Sequence, residues 1–209
     1  MLGVALGLYK AFGFWFPSDY PGVEKWIEQA QHLDEALAFV ENWDVAIDVG
    51  AFAGVYTRRL SQRFKRVYAI EPNQTSFECL CMNTMDEANV VRIHAAAADT
   101  GDAVLRIQRK AWPSARVAAG DKEKDWMLVP PVTLDRLTDR AGFLKIDVEG
   151  YEYRVLRGAD HILKHRPVVM IENKKHYKRY RDPNPVEYLQ GLGMEVVWEK
   201  RPDVVLKWR

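Results

Sequence analysis

One carboxylate beside a glycine turn, and a second at a later strand end, set the chemistry this chain can do. Asp48-Val49-Gly50-Ala51-Phe52-Ala53-Gly54 follows directly on the apolar run that begins at Val45. Glycine lets a chain turn sharply and lets a ligand come close to the backbone. Glu71, 23 positions after Asp48, closes a second apolar run, Val67 to Ile70. A carboxylate so placed can accept hydrogen bonds from both hydroxyls of a ribose. The dinucleotide pattern G-x-G-x-x-G is absent, because Phe52 stands between the glycines and Asp48 precedes the turn. A carboxylate there repels a pyrophosphate but suits a ligand with an ammonium and a sulfonium. S-adenosylmethionine (SAM) has both. The candidate cofactor set is Asp48, Gly50, Phe52, Gly54, Glu71, Pro72, Asn73 and His94. A tight strand–helix turn with no ligand is the alternative reading, and Glu71 weighs against it.

Methyl transfer requires alignment and exclusion of water and, where the acceptor is a hydroxyl, removal of its proton. Asp147 and Glu149 end another apolar run, on the rim where an acceptor would meet the cofactor. The expectation is that Asp147 orients or deprotonates the hydroxyl, with Glu149 or His176 assisting. The competing reading makes Asp147 a helix cap and Glu149 a structural acceptor. Asp147, Glu172 and Asn173 offer three oxygen ligands to Mg²⁺. Lining the pocket without a metal is the preferred reading, so no metal residue is assigned. Lys174, Lys175, Lys178, Arg179 and Arg181 are interleaved with His176, Tyr177 and Tyr180. Such a stretch holds an anionic substrate, or a nucleic-acid backbone, or is a solvated loop. Trp112, Pro113 and Ser114 sit in a polar segment, 110–125, whose length suits a closing loop. His32, His161 and His165 receive no function.

These residues need elements to position them. Val23 to Val40 carries apolar residues at helical spacing. Strands are expected at Val45 to Val49, Val67 to Ile70, Val90 to Ile93, Val104 to Ile107, Phe143 to Ile146 and Val168 to Ile171. Helices are expected after Gly54, around Phe77, after Gly150 and over Pro185 to Leu192. Met194 to Trp198 and Val204 to Trp208 close the chain as a hairpin. Repeated strand–helix units imply a doubly wound α/β sheet, mainly parallel, with an antiparallel C-terminal strand.

Composition agrees with a globular domain: 209 residues, 48% hydrophobic and 28% charged. A formal net charge of +1 excludes a protein whose whole surface binds nucleic acid, though not a local patch. Two cysteines, Cys79 and Cys81, make neither a disulfide framework nor a four-ligand zinc site, which fits the cytoplasm. The apolar segment Met1 to Phe16 is too short to span a bilayer and has no secretory pattern. Residues 1–40 are therefore expected to be a helical extension packed on the core, with the catalytic domain over 41–209. A packing role is favoured over one in lining the pocket or contacting another subunit. The oligomeric state stays open.

Ile47 to Gly54, Tyr68-Ala69-Ile70-Glu71-Pro72-Asn73, and above all Phe143-Leu144-Lys145-Ile146-Asp147-Val148-Glu149-Gly150-Tyr151-Glu152 resemble the FkbM-type methyltransferases. Val155-Leu156-Arg157-Gly158-Ala159 continues the likeness, which runs from about Val45 to the C-terminus. That family usually has Asn at the place of Phe52. The resemblance implies a Rossmann-like class I methyltransferase sheet and a SAM-dependent enzyme. Typically it is an O-methyltransferase acting on sugars or other hydroxylated metabolites. Short versions also occur in bacteriophage genomes. The rival readings are a nucleic-acid methyltransferase and a non-catalytic SAM-binding protein. Pro130-Pro131, flanked by Val129 and Val132, does not match amino-group enzymes, and neither cysteine follows a proline as in cytosine-C5 enzymes. A ribose 2′-hydroxyl of RNA stays open. No Tyr is followed four positions later by Lys, which disfavours a short-chain oxidoreductase.

Overall fold

In the computed structural model, residues 7–18, 20, 22–100, 104–108, 117 and 126–209 are described. The chain opens with a hairpin, β1 (Leu8–Ala11) and β2 (Phe14–Pro17), and two short helices, α1 (Val23–Gln29) and α2 (His32–Leu37). Alternation of strand and helix follows: β3 (Val45–Val49), α3 (Val55–Ser61), β4 (Arg66–Ile70), α4 (Gln74–Asn83) and β5 (Val90–Ile93). Four short strands come next: β6 (Ala96–Ala97), β7 (Leu105–Gln108), β8 (Trp126–Val129) and β9 (Pro131–Val132). Then come β10 (Phe143–Ile146), α5 (Glu152–Arg157), α6 (Asp160–Leu163), β11 (Val168–Glu172), α7 (Pro185–Gly191), β12 (Met194–Lys200) and β13 (Asp203–Trp208).

Seven strands form the central sheet in the order β12-β13-β11-β10-β3-β4-β5. The five strands from β11 to β5 run parallel, and β13 and β12 are added antiparallel. Both faces are covered. Ala46, Val67, Ala69, Phe143, Val168 and Met170 pack on one side with the hairpin and α1 to α4. Ile47, Ile70, Leu144, Ile146, Val169 and Ile171 pack on the other with α5 to α7. Strand side chains alternate between faces, so these continuous apolar runs fill two cores at once. Chain order reverses between β3 and β10, which opens a crevice at their carboxyl ends.

Three local differences from the expected elements have physical causes. Residues 8–17 are a hairpin rather than helix. Phe12 and Gly13 both take positive φ, 50° and 81°, as a two-residue hairpin turn demands. Leu8 and Phe16 point into the core, and Asn83 of α4 bonds both the N–H and the carbonyl of Trp15, at 2.6 and 2.8 Å. The helix expected over Val23 to Val40 is broken at Ala30, whose carbonyl accepts from the Arg59 guanidinium at 2.5 Å. The helix after Gly150 is split at Gly158, where a Cβ would lie 2.0 Å from the Ala98 carbonyl. Asp135 then caps α6 through the N–H groups of His161 and Ile162, both at 2.9 Å.

Of the expected closing loop, only Val117 lies among the described residues, paired across a bridge with Ile107, and Trp112, Pro113 and Ser114 lie outside them. Among the described residues no helix is long and apolar enough to cross a membrane.

Candidate functional site

A cavity of about 540 Å³ opens at the switch between β3 and β10, within the size range of small-molecule sites. One end is walled by Gly50, Phe52, Ile70, Glu71, Pro72 and Ser76, the other by Asp147, Glu149, Glu172 and Lys174.

The first end is built from backbone. Gly50 sits at φ 76°, its N–H bonded to the Ile70 carbonyl at 3.0 Å. A Cβ there would lie 1.9 Å from the Asp147 carbonyl oxygen, so only glycine lets the two strand ends meet. Phe52, at φ 50°, donates its N–H to Glu71 Oε2 at 2.9 Å, and Asn73 donates to Oε1 at 2.8 Å. Two N–H groups thus fix the Glu71 carboxylate at the cavity wall. Burial pushes its pKa up to about 7 against the pull of those hydrogen bonds. Asn73 itself caps α4, its side chain accepting from Thr75 and Ser76. His94 stacks on Phe77 with ring centres 4.9 Å apart and meets the Pro72 carbonyl at 3.0 Å. Gly54, at φ 79°, opens α3 and packs against Leu80.

Asp48 is placed differently from expectation. It is fully buried, outside the cavity wall, with Oδ2 accepting from the Thr57 hydroxyl at 2.7 Å. Its Oδ1 faces Lys145 Nζ at 3.4 Å. Lys145 is the residue the sequence reading missed. It pairs in register with Asp48 across β10 and β3, donates to the Gly50 carbonyl at 3.0 Å and lies over the Tyr56 ring at 4.9 Å. Burial works to lower its pKa, but Asp48 and Asp147 outweigh it and hold the ammonium charged. The signal was there: a lysine inside an apolar strand whose neighbouring strand carries an aspartate.

The other end is built from charge. The turn after β10 takes unusual backbone, with Glu149 at φ 57° and Gly150 at φ 110°. Buried Glu152 holds it by accepting from the N–H groups of Gly150 and Val148, at 2.9 and 3.3 Å. A Cβ on Gly150 would press on the His176 backbone at 2.8 Å, so glycine lets the short helix Lys175–Tyr180 close in. His176 Nδ1 thereby meets Glu149 Oε2 at 3.0 Å. Lys174 Nζ lies 2.6 Å from Glu172 Oε1 and 3.5 Å from Glu149 Oε1. Asp147, Glu149 and Glu172 bring carboxylate oxygens within 4.8 Å of one another. Burial, with the Asp147 charge behind it, pushes Glu172 up to about 9, and its Oε2 has no hydrogen-bond partner among the described residues. The main-chain N–H of Asn173, next in the chain, donates to the Pro202 carbonyl at 2.8 Å.

The wall is completed by segments far off in sequence. Tyr20, Trp26 and Gln29 come from the N-terminal extension and Arg201 and Pro202 from the closing hairpin. Phe52 carries the extension: its ring centre lies 4.9 Å from Tyr20 and 5.1 Å from Trp26. The extension is also tied to β13, where buried His32 and Asp203 meet at 2.7 Å. The extension therefore both packs and lines the cavity. Of the expected set, Gly50, Phe52, Glu71, Pro72, Asp147 and Glu149 meet there. Asp48, Gly54, Asn73 and His94 stand behind the wall, and His176 reaches it through Glu149.

A family model described as the methyltransferase FkbM domain matches residues 48–193. Among solved structures the chain is similar to precorrin 8w decarboxylase of Methanobacterium thermoautotrophicum, with 19% identity and a TM-score of 0.56 over 93% of this chain and 95% of that one. It is similar to M. jannaschii TYW2 in complex with AdoMet, at 18% identity and TM-score 0.50, covering 96% of this chain and 82% of that one. An rRNA methylase from Streptococcus thermophilus matches at 14% identity and TM-score 0.51, over 87% and 95%. The shared architecture is the class I methyltransferase sheet. A comparison with curated proteins finds no match.

Proposed function

From the premise that the chain belongs to the FkbM methyltransferase domain family, we propose that it transfers a methyl group from SAM to a hydroxyl of a sugar or other small metabolite. The observation that carries this reading is the single cavity joining the Glu71 end to the Asp147 and Glu149 end, with His176 bonded to Glu149. The residues present fit SAM. Glu71 presents a carboxylate fixed by two N–H groups, suited to ribose hydroxyls, and Gly50 and Phe52 form a close-approach turn beside it. A carboxylate-lined far end suits the cation that the cofactor carries.

When bound, SAM supplies an electrophilic methyl on sulfur. The protein's part is to align a hydroxyl and take its proton. Glu149, which lines the cavity, is the base for that step, with His176 Nδ1 hydrogen-bonded to its Oε2 from behind. Asp147 lines the same cavity, with its main-chain carbonyl against Gly50. Tyr20, Trp26 and the carboxylates offer the mixed apolar and polar surface on which a sugar ring binds. No metal is assigned, because Lys174 already supplies a cation to the carboxylates.

Calorimetry with SAM, S-adenosylhomocysteine (SAH) and NAD, on the wild type and Glu71→Ala, tests the cofactor. Binding of the SAM-type ligands, weakened by the substitution and absent for NAD, is expected. Folded protein that binds none of them overturns the reading. Labelled methyl transfer to a panel of hydroxylated metabolites, with product masses, then tests the acceptor class.

A further inference from the structure

The sequence sets Asp48 beside the turn, where a carboxylate suits the cofactor's charged methionine end, but in the fold it is not among the residues that line the cavity. Its side chain is completely buried and lies outside the cavity wall, with Thr57 on one oxygen and Lys145 facing the other. Moving it toward a ligand would strand the buried Lys145 ammonium, which is costly. Asp147 is the opposite case. It lines the cavity beside Gly50, and its side chain is 28% exposed and has no hydrogen-bond partner among the described residues. Its one ionic neighbour besides the carboxylates, Lys145 Nζ, stands 3.9 Å away, beyond hydrogen-bond distance. Glu149 and Glu172 crowd the same space, their oxygens within 4.8 Å of Asp147. Lys174 answers Glu172 and Glu149 but makes no contact with Asp147. Asp147 thus shares Lys145 with Asp48, at the longer of the two distances, and its side chain is the one of the three carboxylates with no hydrogen bond among the described residues.

We propose that Asp147, and not Asp48, binds the ammonium of the cofactor's methionine end, and that Lys145 is a positioning residue that holds Asp48 and the Gly50 carbonyl behind the cavity floor. The inference rests on the SAM reading above. It moves the contact expected of the first strand end to the fourth, across the switch point. It also explains why a site for a neutral hydroxyl is lined by three carboxylates: one of them serves the cofactor, and proton removal is left to Glu149, with His176 bonded to it. Lys145 touches all three parts of this arrangement, the Asp48 carboxylate, the Gly50 carbonyl and, at longer range, Asp147.

The test needs no acceptor. Binding of three probes is measured by calorimetry: SAH, its decarboxylated analogue, which keeps the amine, and 5′-methylthioadenosine, which lacks the whole amino-acid end. A charge-assisted hydrogen bond is worth roughly a ten- to hundredfold in affinity. Asp147→Asn should weaken SAH and decarboxylated SAH by about that factor and leave methylthioadenosine within about twofold. The double variant Asp48→Asn with Lys145→Met removes both buried charges together and should keep the preference for amine-bearing probes. Asp147→Asn that binds all three as the wild type does, or weakens all three alike, overturns the inference, and so does failure of this near-isosteric variant to fold. Loss of the amine preference in the double variant also overturns it and returns the role to Asp48. A folded wild type that binds none of the three sinks the SAM reading itself, a different result from any of these.

Discussion

The two ends of the cavity are built on different principles. The Glu71 end is made by consecutive strand ends, β3 and β4, and its polar groups are locked by main-chain N–H groups at 2.8 to 2.9 Å. Its residues lie close in sequence and inside the family-matched region. The Asp147 end is assembled from β10, β11, the N-terminal extension and the closing hairpin, and it is held by side-chain charge: Glu149 with His176, Glu172 with Lys174, His32 with Asp203. Tyr20, Trp26, Arg201 and Pro202 fall outside the matched residues 48–193. A backbone-built end presents one fixed shape, which suits a ligand that does not vary. A side-chain-built end changes with single substitutions, which suits an acceptor that does. There Tyr20, Trp26, Arg201 and Pro202 are the variable part, while Asp147 and Glu149 lie inside the matched residues.

The largest effect should come where the two ends touch. Gly50→Ala places a Cβ 1.9 Å from the Asp147 carbonyl oxygen at a φ of 76°, so strain and overpacking add. A loss of about 4 kcal/mol or more is expected, read as failure to fold or a collapsed urea midpoint. A well-folded Gly50→Ala variant would show that β3 and β10 need not meet so closely. Next comes the tie between extension and core. His32→Ala leaves Asp203 buried without its partner and should cost about 2–3 kcal/mol. If the two ends are as separate as their construction suggests, the same variant lowers the thermal midpoint while SAH affinity stays within about twofold. A large drop in SAH affinity would mean that the extension shapes the cofactor end as well.

The same division decides what the sequence reveals. The parallel sheet, the strand-end glycines and Glu71 are all legible because they follow from local pattern: apolar runs of strand length, a glycine turn, a carboxylate one strand later. The hairpin over 8–17 is less so, since its signal is a positive-φ pair, Phe12-Gly13, where a phenylalanine takes the place favoured by asparagine. Pairings across the chain are not legible at all. His32 meets Asp203 and Tyr20 meets Phe52 only after the sheet has formed. Asp48 shows the limit most clearly. Its place before the turn is legible, but the direction of its side chain is not, because that depends on the register that sets Lys145 beside it.

A smaller effect separates the ends by pH. Glu172 is held at about 9 in the fold, above the ordinary carboxylate range, by burial and by Asp147. Between the ordinary value and 9 the folded state keeps a proton that the unfolded chain has lost, so its contribution falls as pH rises. Glu172→Gln removes that penalty but also the contact to Lys174. A net gain of about 1–2 kcal/mol is expected at pH 8, fading by pH 5, from thermal unfolding at both values. The reverse sign, with loss at pH 8, would show that the Lys174 pair outweighs burial.

The smallest effect expected is that of chelation. Three carboxylates within 4.8 Å are the usual start of a divalent-cation site. Here Lys174 Nζ stands 2.6 Å from one and 3.5 Å from another, so an entering ion must first displace an ammonium held by both. The Lys174 pKa is raised, because Glu172 and Glu149 outweigh the burial that works against its charge, so the lysine does not yield by losing its proton near neutrality. Exhaustive chelation should therefore change SAH affinity and methyl transfer by less than about twofold. Lys174→Ala sharpens the point, since it removes the resident cation and leaves the carboxylates to repel one another. That variant should gain Mn²⁺ binding that the wild type lacks, measured by paramagnetic broadening of water protons. Equal Mn²⁺ binding by both proteins would mean that the ion and the lysine share the site, and that the acidic end works with a metal after all.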